Sequence, residues 1–130
     1  MIEYFVMCRH WSDHVENIGL LAHDTQTNHF AMYIDSTVVA KQELNPILFG
    51  LSQDLAVTDK LIKLWIEARA IPRDRENIDA IMESYNIPEY SEWELLKTAN
   101  GCNPGYDNWG FYPISENEIK PQWKDKLVWR

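Results

Sequence analysis

Two apolar segments, residues 18–23 (Ile-Gly-Leu-Leu-Ala-His) and 30–34 (Phe-Ala-Met-Tyr-Ile), flank the polar stretch Asp24-Thr-Gln-Thr-Asn28. Small polar side chains bond to nearby backbone and favour tight reversals, so this arrangement predicts a β-hairpin. An isolated hairpin is barely stable in water and needs further strands or a covering layer. Residues 2–8 (Ile-Glu-Tyr-Phe-Val-Met-Cys) are rich in β-formers and predict a strand that pairs with the hairpin into a small antiparallel sheet. Residues 38–40 are a candidate for a further short strand.

The period changes downstream. Asn45-Pro46 and the apolar residues 47–51 read as a loop carrying a hydrophobic plug. Thr58 is a good N-cap for a helix in which Leu61, Ile62, Leu64 and Trp65 recur at helical spacing. That helix should stop near Arg69, because Pro72 biases Ile71 away from helical geometry. Asp74 can cap a second helix with a stripe of Ile78, Ile81, Met82 and Tyr85, broken at Asn86-Ile87-Pro88. Ser91-Glu-Trp-Glu94 has the form of a capping box for a third helix, which Asn100-Gly101 should end in left-handed geometry. Residues 107–112 predict a late strand. Residues 121–129 predict a short amphipathic tail burying Trp123, Leu127 and Val128.

The expected fold is therefore α+β in one domain, β-rich over 1–57 and helical over 58–130 with the late strand. At 130 residues, 45% hydrophobic and 25% charged, the chain can bury a core without a metal or disulfide. No repeat or low-complexity linker divides it. Six Trp and six Tyr exceed what a core of this size needs, so some can anchor a protein interface, and a homodimer stays open.

The net charge is −8. Residues 74–94 hold seven acids (Asp74, Glu76, Asp79, Glu83, Glu89, Glu92, Glu94) against one base, Arg75. Nucleic-acid binding needs clustered Lys and Arg, so direct DNA or RNA binding is not expected. The acidic run reads as a solvated helical face or as a docking surface for a basic partner. No apolar run approaches the roughly 18 residues of a membrane span, and the start Met-Ile-Glu-Tyr lacks a secretory pattern. A cytoplasmic protein with reduced thiols is the expectation.

Chemistry-bearing motifs are few. Cys8-x-His10-x3-His14 groups metal-capable residues, but Cys8 and His10 share a strand face while His14 falls in the following loop. No second ligand pair completes a site, so no metal or cofactor is expected. Cys8 and Cys102 form no CxxC pattern, although a disulfide between them is open. His23 and His29 flank the hairpin turn and are expected to be a solvated pair. No Gly-x-Ser-x-Gly elbow and no phosphate-binding glycine loop is present. The chain is expected not to be an enzyme.

Arg69, Arg73 and Arg75 surround Ile71-Pro72 at a helix–helix corner beside the acidic run. Arg69 can serve the C-terminal dipole of its helix. Arg73 or Arg75 can pair with neighbouring acids or with Asp107. The candidate partner-binding residues are thus Arg69, Arg73, Arg75, Glu76, Asp79 and Glu83. Trp65, Pro72, Asp107 and Trp109 are candidates for a structural motif, Trp65 anchoring the helix and Arg69 or Arg75 bridging to Asp107.

Residues 64–78 (Leu-Trp-Ile-Glu-Ala-Arg-Ala-Ile-Pro-Arg-Asp-Arg-Glu-Asn-Ile) resemble a block, W-x-x-x-R-A-[IV]-P-x-x-R-x-N, of small proteins and N-terminal segments found beside HipA-like kinases in Firmicutes and mobile elements. Leu95-Leu-Lys97 followed by Gly101-Cys-Asn-Pro-Gly-Tyr-Asp-Asn-Trp109 is similar to a later stretch of the same proteins. The resemblance covers residues 61–112 and departs at Cys102-Asn103-Pro104-Gly105, where the family has Leu-Ser. It carries over no ATP loop, catalytic Asp or metal-binding Asn. It implies an accessory or regulatory module that docks on a kinase-like toxin or other protein in a toxin–antitoxin, phage or mobile-element system. A second reading is a phage-encoded inhibitor of a host defence nuclease, of the anti-CRISPR kind, whose acidic 74–94 face mimics phosphate. A third is a small enzyme of unrecognised type.

Overall fold

The computed structural model describes residues 1–35, 56–103 and 108–129. The expected strand at 38–40, the loop at 45–51 and Asp107 lie outside the described residues. Among the described residues five strands, β1 (Ile2–His10), β2 (Val15–Asp24), β3 (His29–Ile34), β4 (Ala56–Val57) and β5 (Trp109–Ile114), form one antiparallel sheet in the order β4-β3-β2-β1-β5. The fold is α+β, with the N-terminal hairpin and first strand as its centre. The late strand pairs with β1, so the first strand and a segment beyond the helices lie side by side in the sheet.

The β2–β3 turn has a local cause. Asp24 Oδ1 accepts from the backbone N–H groups of Gln26 at 2.9 Å and Thr27 at 3.4 Å, and Asn28 takes the left-handed conformation at φ 58°. The Gln26 hydrogen bond holds the Asp24 carboxyl below its ordinary range.

Helix α1 (Asp59–Arg69) starts where Thr58 Oγ1 accepts from Leu61 N at 3.3 Å. Asp59 Oδ1 accepts from Phe30 N at 2.7 Å, tying the first turn to β3. The helix ends at Ala70, whose extended backbone (φ −74°, ψ 159°) leads into Pro72. Its buried face is Ile62, Trp65, Ile66 and Arg69, whereas Leu64, expected in the stripe, is 51% exposed. Positions 62, 65, 66 and 69 follow the i, i+3, i+4, i+7 rule, and residue 64 falls outside that face.

Helix α2 (Ile78–Ser84) begins later than expected. Hydrogen bonds from Arg75 N to Pro72 O and from Ile78 N to Arg75 O fold the preceding residues into turns, leaving Asn77, not Asp74, at the N-cap with φ 65°. Of the expected stripe, Met82 is buried and Ile78 and Ile81 half-buried, while Tyr85 is 51% exposed. Helix α3 (Glu92–Thr98) is capped by Ser91 Oγ, which accepts from Glu94 N at 3.2 Å; the Glu94 carboxylate pairs with Lys97. It stops at Asn100 (φ 52°) and Gly101 (φ 70°), as expected. After a short 3-10 turn (Glu116–Glu118), α4 (Pro121–Lys124) is a single turn.

Both sheet faces are covered. On one, Phe5, Met7, Leu21, Phe30, Met32 and Phe111 pack against Ile62, Trp65 and Ile66 of α1 and Trp93 and Leu96 of α3. Trp93 is the hub, its ring 5.0–5.4 Å from Phe30, Phe5 and Phe111. On the other face Val6, Leu20 and Tyr33 receive Ile119 and Trp123 from the tail. Trp123 Nε1 also donates to Asp35 Oδ2 at 3.2 Å, while Leu127 and Val128 are only half-buried. A satellite cluster of Met82, Ile87 and Leu95, with Ile71, Ile78, Ile81 and Tyr90, holds α2 beside α3.

Candidate partner-binding corner

The three arginines of the corner separate by environment. Arg69 is 3% exposed, and its guanidinium donates to Gly101 O at 3.0 and 3.1 Å and to Trp109 O at 2.8 Å. It also lies over the Trp65 ring, 4.6 Å from the centroid, and its own carbonyl accepts from Asn103 Nδ2 at 3.1 Å. Such a group is embedded in the fold and offers no surface to a partner. The helix end that brings it there is set by Pro72, and the guanidinium fork lets one terminal nitrogen serve both carbonyls while Nε adds a second bond to Gly101 O.

Trp65 and Trp109 are both buried beside it. With Asn77 in left-handed geometry, the Trp65, Arg69, Pro72, Asn77 and Trp109 positions each have a structural task. Arg69 donates to the carbonyls of Gly101 and Trp109, and the expected bridge to Asp107 lies outside the described residues.

Arg73 and Arg75 face solvent. Arg73 stacks over the Tyr90 ring at 4.8 Å, and Tyr90 in turn donates its hydroxyl to Ile71 O at 2.8 Å. Burial and the neighbouring Glu92 raise the Tyr90 pKa. Glu76, Asp79 and Glu83 are exposed in the turn before α2 and along it. Between α2 and the next turn runs an open groove of ≈ 540 Å³ lined by Asp79, Met82, Glu83, Asn86, Ile87 and Pro88. Apolar floor and acidic rim therefore coincide on one short, peripherally attached element. Of the six candidate contact residues, five remain on the surface and Arg69 does not.

The histidines also differ from expectation. His23 is buried, stacked on Phe30 at 4.4 Å, and bonded through Nε2 to Asn28 Oδ1 at 2.9 Å. Strand register pairs His23 with Phe30 and His29 with Asp24, so the two histidines are not opposite one another. His14 pairs with Asp13 in the β1–β2 loop. Among the described residues no group of three or more His, Cys, Asp and Glu is arranged to hold a metal ion.

One feature was not legible in the sequence and a second only in part. Arg9 is 1% exposed and pairs with Glu16 across the β1–β2 ladder. At the same end of the sheet, His10 Nε2 lies 3.5 Å from Cys8 Sγ and 3.5 Å from Cys102 Sγ. His10 and Cys102 are 92 positions apart, and no local pattern announces such a meeting.

Comparison with family models, curated proteins and solved structures finds no match for the chain. No helix among the described residues is long and apolar enough to cross a membrane.

Proposed function

We propose that the protein is a non-enzymatic regulatory module that binds another protein, working in the cytoplasm. The observation that carries this reading is the surface of α2, where exposed Asp79 and Glu83 rim a groove floored by Met82 and Ile87, with exposed Glu76 in the turn just before the helix. Apolar floor gives binding energy, and a one-signed rim selects and steers a partner of opposite charge. The partner is a protein with a basic docking surface. The resemblance to segments found beside HipA-like kinases makes a kinase-like toxin one such partner. A defence nuclease, whose nucleic-acid groove is also basic, is the second reading.

The test compares pull-downs from the native host with three baits. One is wild type, one carries Glu76→Lys, Asp79→Lys and Glu83→Lys, and one carries Asp13→Lys, Glu118→Lys and Asp125→Lys. The last changes net charge equally at exposed sites elsewhere. A stoichiometric protein retained by wild type and by the distant triple variant, but lost with the α2 variant, supports the reading. Equal retention by all three, or none by wild type, sinks it. Competition of the captured protein by DNA favours the nuclease reading.

A further inference from the structure

We infer that Cys8 and Cys102 are a redox-active pair that closes to an intramolecular disulfide with His10 as the proton carrier. The case rests on register and space. Cys8 on β1 pairs with Gly110 on β5, so a side chain at 110 would be its cross-strand neighbour on the same sheet face. Gly110 has none, and Cys102 fills the vacancy: a Cβ built on Gly110 would lie 2.8 Å from Cys102 Sγ and 3.2 Å from His10 Nε2. The thiol of Cys102 thus stands where the partner of a cross-strand pair would stand.

The two thiols have unequal surroundings. Cys8 is buried and, with His10, Asn17 and Asn100, helps to line an open cavity of ≈ 420 Å³, whereas Cys102 is half-exposed. Burial, and next the proximity of Cys102, push the Cys8 thiol up to about 11, while the Gly110 N–H acts in the opposite sense. Cys102 Sγ donates to Asn100 O at 3.6 Å. The half-exposed Cys102 is therefore the thiol that meets an oxidant, and Cys8 is the one that resolves.

The oxidant is a low-molecular-weight disulfide, RSSR. Cys102 loses its proton and attacks one sulfur of RSSR; the S–S bond of RSSR breaks, Cys102–S–S–R forms, and RS⁻ leaves as RSH with that proton. Cys8 then gives its proton to His10 Nε2 and attacks Cys102 Sγ. The Cys8–Cys102 bond forms, the bond to R breaks, and the second RS⁻ takes the proton back from His10. Two protein thiols are oxidised and one RSSR is reduced to two RSH.

The experiment incubates the reduced full chain in glutathione buffers of increasing oxidised fraction, traps remaining thiols with iodoacetamide, and reads intact mass and linked peptides. The expected product is a monomer with both thiols protected, a Cys8–Cys102 linked peptide, and a Tm raised by ~10 °C because residues 8 and 102 close a long loop. Cys8→Ser should stop at a stable glutathione adduct on Cys102. His10→Gln should reach the same endpoint at least ~10-fold more slowly at pH 7. If Cys8→Ser fails to fold, the linked peptide of wild type decides alone. Persistent adducts on wild-type Cys102, disulfides only between molecules, or two alkylated thiols in excess oxidant each overturn the inference. So does stoichiometric Zn²⁺ binding to the reduced protein that blocks oxidation, because it would assign the cluster to a metal.

Discussion

The Arg69 guanidinium donates a 2.8 Å hydrogen bond to the carbonyl oxygen of Trp109, tying the last turn of α1 to the first residue of β5. The same side chain satisfies Gly101 O at the end of the α3 segment, so three elements converge on one buried cation.

Removing that cation strands its acceptors. Arg69→Met is expected to cost about 3–5 kcal/mol, since it leaves two inward carbonyls without their donor. Arg69→Lys should recover only part of this, because an ammonium cannot reproduce the fork. Urea unfolding followed by tryptophan fluorescence measures both. A loss under about 1 kcal/mol for Arg69→Met would show that Arg69 is dispensable to the fold.

Gly101 carries a second constraint. Its φ is +70°, and a Cβ there would lie 2.3 Å from Cδ2 of buried Phe111. Gly101→Ala is expected to destabilise by about 2–4 kcal/mol from left-handed strain plus overpacking. Asn100→Gly, at an exposed position with φ 52°, should change stability by only about a few tenths of a kcal/mol. Equal effects from the two substitutions would contradict the steric account.

Stability should fall at alkaline pH through Cys8. Its folded-state pKa of about 11 lies above the ordinary thiol value of 9.0, so the folded state holds its proton more tightly than the unfolded one. The stabilisation is full below pH 9.0 and is lost as pH rises towards about 11, on the order of 2 kcal/mol. Denaturation midpoints of reduced protein across that window should decline more steeply for wild type than for Cys8→Ala. Parallel slopes would remove Cys8 as the cause.

Acids of different placement should behave differently. The triple change Glu76→Lys, Asp79→Lys and Glu83→Lys touches exposed side chains and should move stability by only about 0.5 kcal/mol per site. Asp59→Ala removes the acceptor of Phe30 N and should cost about 2 kcal/mol. Circular dichroism melts of both proteins give the comparison. Unfolding of the triple variant would mean that the α2 acids hold structure.

Much of the local architecture was legible. Thr58, Ser91 and Asn100-Gly101 act on backbone groups within a few residues, so their chemistry is readable from spacing alone. The turn built by Asp24 and the stop before Pro72 are of the same kind. The errors arose where burial depended on remote partners. Leu64 and Tyr85 are apolar but turned outward, and His23 is polar but sealed under Phe30 and Trp93.

The candidate site divides on the same line. The sequence alone placed an acidic, mostly exposed run at 74–94, because carboxylates stay in water unless their burial is compensated. That Arg69 withdraws from the corner to residues 32 and 40 positions away was decided by tertiary packing. So was the convergence of Cys8, His10 and Cys102, which needs β5 to pair with β1 and Gly110 to leave room. The sequence by itself determined where the chain bends, caps and charges its surface, since those are short-range preferences of the backbone. Which side chains meet was left to the sheet register and the helix faces, because contact energies between distant residues exist only once the chain has folded.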